Sequence, residues 1–376
     1  MTRPLLICSA YPFGYGPVVK LMLLAEKLRH EGFRTLFVGS GIGLPMASSC
    51  GLFDEVVEAQ PGSPEARRLI RSGDAFLSLM ERDLTQEALE ASKPVYVVDS
   101  LRWMRDVIPQ PFLHAREYWC QRFLTPSADP APGTPVGPLV RAMAASLETS
   151  RSGLIVNLGG CETAAGPSEE DLLYGEFIVR GLMAMEARLS TRKHGGALRL
   201  IAGKRCVDHL AAVFPDCGIA MESVTHSEAL RLFDGAESVL TSPGLTTTLE
   251  CFQLGVPTFF LPPQNYSQWR ILKHLLGEKL APEVCDWSLF MTEIQKMEEI
   301  PAEDRTPMVR RILREFTSLS ESSQILGESI LEWRSRDRVG IAESQQNFFK
   351  SLGSNGIDSI ISHLLEVFDT TPRSGS

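Results

Sequence analysis

The sequence predicts a two-domain α/β protein, and three features lead to this prediction. The chain has 376 residues, a length that suggests two domains. Residues 4–39 alternate an apolar strand pattern, a glycine-containing loop, a helical pattern and a second strand pattern. Strand and helix patterns alternate again over residues 153–202, as expected when parallel strands are joined by helices.

The first strand–helix–strand unit predicts where a ligand binds. Pro4 to Ala10 forms the apolar strand, Leu21 to His30 has helical spacing, and Arg34 to Gly39 forms the next strand. Between the first two lies a loop with Gly14 and Gly16, at the carboxyl end of the strand, where ligands bind to such sheets. The loop lacks a Gly-x-Gly-x-x-Gly pattern, so no dinucleotide site is expected.

Asp99 is a candidate general base in the first half of the chain. It directly follows the strand pattern Val95 to Val98, so it lies at the carboxyl edge of the predicted sheet. The simpler alternative is that Asp99 caps the segment that begins at Ser100.

His114 and Glu117 are further candidates, in the aromatic-rich segment of residues 112–119. This segment either lines an acceptor pocket or forms a helix. A helix that packs Phe112, Tyr118 and Trp119 into the core is the commoner outcome for such residues.

A strand that ends in glycines opens the second half. Residues 153–160 are apolar up to Asn157 and end in Gly159 and Gly160. Glycine lets a loop backbone approach a bound phosphate closely. Asn157 either touches such a ligand or satisfies backbone groups at the end of the strand.

The stretch from Ser242 to Glu250 predicts a phosphate site at the start of a helix. Pro243 and Gly244 break the strand pattern of residues 237–241, and three threonines follow where the next helix begins. A helix N-terminus binds anions through its free N–H groups and its positive dipole end. Glu250 lies two turns into this helix, too far to cap it. From spacing alone, the alternative is an ordinary capped helix.

The full run over residues 242–268 resembles the donor-binding motif of nucleotide-sugar glycosyltransferases of the GT-B architecture, namely family 1 UDP-glycosyltransferases and MurG-like enzymes. In that motif His-Cys-Gly-Trp-Asn-Ser-Thr-Leu-Glu is followed by Gly-Val-Pro and then by Asp-Gln. The residues that match are Gly244, Thr248, Leu249, Glu250, Gly255-Val-Pro257 and Gln268. Among the positions that differ, Ser242 replaces the histidine, Thr246 the asparagine, Thr247 the serine and Ser267 the aspartate.

The resemblance implies a GT-B fold, in which two Rossmann-like domains face each other across a cleft. Residues 1–138 would form the acceptor domain, and their end, residues 126–138, carries five prolines and two glycines and is expected to be an irregular linker. Residues 139–352 would form the donor domain, in which residues 287–316 are expected to be an amphipathic helix. Residues 353–376 would carry a helix that crosses back to the first domain.

The resemblance further implies an inverting, metal-independent enzyme. It would move a hexosyl or glycuronosyl group from a nucleotide-diphosphate sugar, with a UDP-sugar favoured, to a small-molecule acceptor, and it would need no other cofactor. Glu250 would accept hydrogen bonds from ribose hydroxyls and Gln268 would contact the sugar. The donor ligands in this scheme are Asn157, Gly159, Gly160, Ser242, Gly244, Thr246, Thr247, Glu250 and Gln268. The acceptor would lie near Gly14, Gly16 and His114.

The catalytic base is a point at which this chain differs from the enzymes that it resembles. Such enzymes often carry a basic histidine in the first loop, and here residues 1–29 contain none. Asp99 is therefore the first candidate for the base, and Tyr15, near the expected place of the histidine, is the second. The loop is also weakly similar to that of cytosylglucuronate synthases, which favours a nucleobase or natural-product intermediate as acceptor.

Two other functions fit the same motif. One is a nucleotide-sugar hydrolase or 2-epimerase with the same architecture. The other is a non-catalytic nucleotide-sugar-binding protein. This alternative stays open because the chain lacks the histidine and the aspartate of the motif.

Composition narrows the class of protein further. The net charge of −9 argues against a surface that binds nucleic acid or anionic membranes. The eight cysteines form no Cys-x-x-Cys pair and there is no Asp-x-Asp motif, so no metal site is expected. Without an 18-residue apolar stretch or a signal-peptide pattern, we expect no membrane span and a cytoplasmic location. The oligomeric state stays open.

Overall fold

The structure, a computed structural model, describes residues 3–12, 14–124, 132–143, 151–159, 168–189 and 197–370. Its contacts divide the chain into two compact units, residues 1–142 with 350–376 and residues 143–349. Each unit is built around its own parallel sheet. The domain limits expected at residues 138 and 352 stay predictions.

Strands and helices alternate along most of the described chain. The strands are β1 Leu5–Ala10, β2 Arg34–Gly39, β3 Glu55–Glu58, β4 Ala75–Leu79, β5 Val95–Asp99, β6 Glu117–Gln121, β7 Thr134–Val136, β8 Leu154–Asn157, β9 Leu198–Ile201, β10 Ala220–Glu222, β11 Ser238–Thr241 and β12 Thr258–Phe260. The helices are α1 Tyr15–His30, α2 Gly43–Cys50, α3 Pro64–Ser72, α4 Asp83–Glu90, α5 Gln110–Leu113, α6 Glu169–Leu189, α7 Lys204–Val213, α8 His226–Gly235, α9 Leu245–Leu254, α10 Tyr266–Gly277, α11 Ala302–Ser318, α12 Ser322–Ser335, α13 Arg338–Ser351 and α14 Gly356–Thr370. Short 3-10 helical segments are Arg102–Met104, Glu283–Cys285, Trp287–Leu289 and Thr292–Glu299.

The first unit contains seven parallel strands in the order β3-β2-β1-β4-β5-β6-β7. Strands β4 and β5 are buried along their whole length, as expected when helices cover both faces of a parallel sheet. One core cluster packs α1 and α14 against one face, and a second packs α3 and α4 against the other. The strand order reverses between β1 and β4, and ligands of such sheets bind at the carboxyl ends beside that point.

The aromatic segment of the first unit is not the single helix that the sequence favoured. Helix α5 ends at Leu113 and strand β6 begins at Glu117. Tyr118 and Trp119 are nonetheless buried, one in each core cluster, because successive residues of a strand point to opposite faces. Strand β6, paired with β5, therefore buries the same aromatic residues that the expected helix would have buried.

The proline-rich stretch is also more regular than expected. Residues 134–136 form β7, which pairs in parallel with β6 at the edge of the sheet. An edge strand tolerates Pro135 because its missing N–H costs no bond on the open side. Residues 125–131 of the expected linker lie outside the described ranges.

The second unit contains five parallel strands in the order β10-β9-β8-β11-β12. Helices α6 and α12 cross in close contact. A Cβ added at Gly327 would lie 3.0 Å from the carbonyl oxygen of Gly181, so glycine is needed for this approach.

The helix expected over residues 287–316 begins only at Ala302. Before it the chain forms short 3-10 segments, and Ile300 is extended with φ −103° and ψ 157°. Pro301 explains the break, because the residue before a proline is disfavoured in the helical region.

Candidate functional site

The two predicted phosphate-binding segments lie side by side in the second unit. Strand β8 pairs in parallel with β11, and Asn157 at the end of β8 is opposite Thr241 at the end of β11. The loops that follow these strands therefore leave the sheet at the same carboxyl edge. Helix α9 begins four residues after β11.

Asn157 ties these segments together with hydrogen bonds. Its amide nitrogen Nδ2 donates to Thr241 Oγ1 over 3.3 Å and to Thr247 Oγ1 over 3.4 Å. Its Oδ1 accepts from the backbone N–H of Gly159 over 3.2 Å. The side chain thus links the end of β8 to the first turn of α9, and Gly160, predicted beside it, lies outside the described residues.

The start of α9 has the features of an anion site. Gly244 precedes the helix and has no side chain to cap it. A Cβ added at Gly244 would meet no atom closer than 3.9 Å, so the space there is open. Thr246 and Thr247 are half-buried in the first turn. Because the Thr247 hydroxyl accepts from Asn157, its own proton is available for a bound oxygen.

Glu250 and His226 form a pair beside this helix start. Glu250 is 2% exposed, and its Oε1 lies 2.7 Å from His226 Nε2, on the first residue of α8. His226 is not among the donor ligands named from the motif. Its partner is 24 residues away along the chain, so no local pattern could have identified the pair.

Ser242 and Gln268 face the interior of the second unit. The Ser242 hydroxyl lies 3.1 Å from the Tyr174 hydroxyl and accepts from Gln264 Nε2 over 2.5 Å. Gln268 Oε1 accepts from the backbone N–H of Gln264 over 2.8 Å. Tyr174, which the sequence did not single out, also donates to the carbonyl oxygen of Pro262 over 3.0 Å. These side chains hold the loop that follows β12.

The predicted acceptor loop lies in the first unit. Gly14 has φ +68°, a conformation that favours glycine, and it stands directly before α1. Tyr15 and Gly16 are half-buried in the first turn of that helix. The loop follows β1, which is separated from β5 by β4, so the carboxyl ends of β1 and β5 lie about 10 Å apart.

Asp99 is fully buried and its carboxylate has three hydrogen-bond donors. Oδ1 accepts from the backbone N–H of Leu101 over 2.8 Å, and Oδ2 accepts from Arg105 Nε and from the Tyr118 hydroxyl, each over 2.9 Å. Burial raises the pKa of Tyr118, and the nearby Asp99 carboxylate raises it further, so Tyr118 stays a donor. The bond to Leu101 agrees with the local capping alternative for Asp99.

His114 is not brought together with Gly14 and Gly16. It is exposed and lies between α5 and β6, before the amino end of β6. All strands of this sheet run parallel, so the loop after β1 emerges at the opposite edge.

No group of three His, Cys, Asp or Glu residues in the described ranges is arranged to hold a metal ion. Among the helices that the structure describes, none is both long enough and apolar enough to cross a membrane.

Comparison with known proteins gives matches of structure and none of sequence. No family model and no curated protein matches the chain. MurG of Acinetobacter baumannii is similar with a TM-score of 0.54 at 11% identity, over 97% of this chain and 100% of that one. UGT2 of Phytolacca americana, solved with UDP-2-fluoro-glucose and pterostilbene, is similar with a TM-score of 0.57 at 12% identity, over 97% of this chain and 99% of that one.

The chain has the GT-B fold. The fold class expected from the sequence is thereby confirmed, with a parallel sheet in each unit. In this GT-B chain the Asn157–Thr247 link and the His226–Glu250 pair both belong to the second unit.

Proposed function

We propose that this chain is an inverting glycosyltransferase that takes its sugar from a nucleotide-diphosphate donor, with a UDP-sugar favoured. The observation that carries the proposal is the arrangement around α9. Asn157 joins the loop after β8 to Thr247 in the first turn, and Glu250 follows one turn later. One end of the arrangement suits a diphosphate and the other suits a diol.

The diphosphate end supplies electrostatic stabilisation. Negative charge builds on the departing nucleoside diphosphate as the glycosidic bond breaks. The backbone N–H groups and dipole of the α9 N-terminus, with the Thr247 hydroxyl, meet that charge without reorganising. The proposed reaction therefore needs no metal ion in the second unit. We also propose that the protein is cytoplasmic.

The diol end is Glu250. A carboxylate can only accept hydrogen bonds, and ribose hydroxyls donate them. With Oε1 engaged by His226, Oε2 is available to the ribose. Gly159, Gly244 and Thr246 complete the proposed diphosphate site, whereas Ser242 and Gln268 support it from the interior.

On the acceptor side we propose the loop with Gly14, Tyr15 and Gly16, which would hold a small molecule such as a nucleobase or a natural-product intermediate. Asp99 is the proposed base. Its carboxylate is occupied by Arg105, Tyr118 and the backbone, so proton transfer to it requires that the Arg105 ion pair opens.

A thermal-shift screen tests the donor site. Wild type and Glu250→Ala are compared with UDP, GDP, dTDP and CDP and their common sugar conjugates. A nucleotide at 100 times its Kd adds about 2.7 kcal/mol of stability, which a melting curve resolves. We expect one nucleotide family to stabilise the wild type and not Glu250→Ala.

Glu176→Ala is the matched control, because Glu176 on α6 also holds a histidine, His209 on α7, over 3.0 Å. It should keep the nucleotide-dependent shift. The proposal fails if no nucleotide stabilises the wild type, or if both variants lose the shift equally.

A donor assay then separates the transferase from the other functions. Free sugar released at full rate without any acceptor would identify a hydrolase. Nucleotide binding without turnover under any acceptor would identify a binding protein. A transferase consumes the donor only when its acceptor is present.

A further inference from the structure

We propose that His226 is a positioning residue that aims the Glu250 carboxylate at the donor ribose, and that it thereby sets a preference for ribonucleotides over 2′-deoxyribonucleotides. The inference rests on the proposed function, since it assumes a nucleotide at α9. It adds a residue and a substrate preference that the donor motif does not contain.

The two oxygens of Glu250 are in different situations. Oε1 is engaged by His226 over 2.7 Å, a distance typical of a charge-assisted hydrogen bond. Oε2 has no donor among the described residues, although Glu250 is only 2% exposed. Oε2 is not one of the enclosed polar atoms that lack a partner, so solvent reaches it and a ligand hydroxyl can reach it as well.

His226 is not needed to start its own helix. Thr225 and Glu228 cap α8 reciprocally: Thr225 Oγ1 accepts from the N–H of Glu228 over 3.3 Å, and Glu228 Oε2 accepts from the N–H of Thr225 over 2.8 Å. The ring of His226 is thus held on a fixed first turn. The ring contributes the hydrogen bond that it makes to Glu250 on α9.

This bond fixes the direction of the carboxylate. Glutamate has three side-chain torsions, and a single bond at Oε1 selects one orientation out of several. Oε2 then stays where a ribose hydroxyl can reach it. Without the bond Glu250 would have to be ordered by the nucleotide itself, at a cost in affinity.

The experiment compares binding of UDP and 2′-deoxy-UDP to wild type, His226→Phe and His226→Gln, by calorimetry. Phenylalanine keeps the ring and loses the donor, whereas glutamine keeps an N–H donor of similar reach. We expect His226→Phe to weaken UDP binding about tenfold and to leave 2′-deoxy-UDP binding within about twofold. His226→Gln should recover most of the UDP affinity.

Two controls exclude a merely structural effect. His209→Phe removes another histidine–carboxylate pair of this unit and should change neither affinity. In a Glu250→Ala background, the residual UDP affinity, measured at high nucleotide concentration, should be weakened no further by His226→Phe, since residues that act through one another are not additive.

The outcomes distinguish this inference from the proposed function. If wild type binds UDP and Glu250→Ala does not, the donor site stands. The positioning role then fails if His226→Phe binds both nucleotides like wild type, or weakens both equally. If wild type binds no nucleoside diphosphate, the proposed function and this inference fall together.

Discussion

The hydroxyl of Tyr118 donates a hydrogen bond to Asp99 Oδ2 over 2.9 Å, and joins neighbouring strands β5 and β6 inside the first unit. Arg105 approaches the same oxygen over 2.9 Å, and its guanidinium lies 5.6 Å from the centre of the Phe112 ring. The Asp99 carboxylate at the end of β5 therefore links Tyr118 on β6 with Arg105 in the segment that follows β5.

Asp99→Asn separates this structural role from catalysis. The amide offers one acceptor oxygen in place of two and leaves Arg105 without its counter-ion. We expect a loss of about 2–4 kcal/mol in the free energy of unfolding, measured in urea. Tyr118→Phe, which removes one donor and no charge, should cost about 1 kcal/mol.

Turnover by Asp99→Asn is then measured at a temperature where the variant is folded. If Asp99 is the base, kcat falls at least a hundredfold while Tyr118→Phe stays active. Intact turnover by folded Asp99→Asn would rule out Asp99 as the base.

Neighbouring threonines of α9 provide a matched pair for the diphosphate site. Thr247→Val removes a hydroxyl proposed to bind phosphate, so UDP affinity should fall about 10- to 100-fold. The Thr248 hydroxyl is buried and has no hydrogen-bond partner among the described residues. Thr248→Val should leave UDP affinity unchanged and raise the melting temperature slightly, because it removes an unsatisfied polar group. Equal effects of the two substitutions on binding would contradict the site.

Stability should depend on pH through Glu81. Its carboxylate is 6% exposed and accepts from the backbone N–H groups of Asp83 and Leu84, and burial raises its pKa from 4.5 to about 7. The unfolded chain releases this proton at lower pH than the folded chain does. The contribution of Glu81 is therefore complete below about pH 4.5 and is lost as the pH rises to 7, by up to about 3 kcal/mol.

Glu81→Gln tests this dependence because it cannot titrate. Between pH 5 and pH 8 its free energy of unfolding should fall less than that of wild type. Asp83→Asn, two residues along the chain and exposed, should stay close to the wild-type curve, because the Asp83 charge is only a minor cause of the raised pKa of Glu81. Parallel curves for Glu81→Gln and wild type would show that Glu81 does not titrate in this range.

The crossing of α6 and α12 depends on glycine at position 181. A Cβ added there would lie 2.7 Å from Leu326 Cγ, so Gly181→Ala forces the helices apart or Leu326 out of its rotamer. We expect a loss of about 1–3 kcal/mol in unfolding experiments. Gly277→Ala, at the end of α10 with no atom within 4 Å of the added group, should be neutral or stabilising by up to about 1 kcal/mol. A loss of similar size at both positions would show that helix packing is not the cause.

Local patterns predicted much of the second unit around α9. The strand expected over residues 237–241 is β11, and Gly255 ends α9 with φ +60°, as the Gly-Val-Pro run indicated. Thr225 and Glu228 form a capping box at the start of α8, a pattern that the spacing Thr-x-x-Glu encodes locally. Each of these features is encoded within a few residues, by periodicity, a cap or a chain break.

Local sequence patterns gave the wrong secondary structure where a strand and a helix would bury the same residues equally well. Residues 117–121 bury Tyr118 and Trp119 equally well on a strand, and only pairing with β5 decided between strand and helix. Pro135 looked incompatible with regular structure, but it lies on an edge strand where no partner needs its N–H.

The sequence by itself determined the α/β class and the resemblance to a donor motif, and it predicted an anion site at the start of α9. Tertiary structure decided which side chains meet: Asn157 with Thr247 and His226 with Glu250 beside α9, and Asp99 with Arg105 and Tyr118 in the first unit. The physical reason is distance along the chain. A cap or a strand depends on neighbours within a few residues, whereas a pair separated by 24 or 90 positions exists only once parallel strands bring their carboxyl ends to one edge.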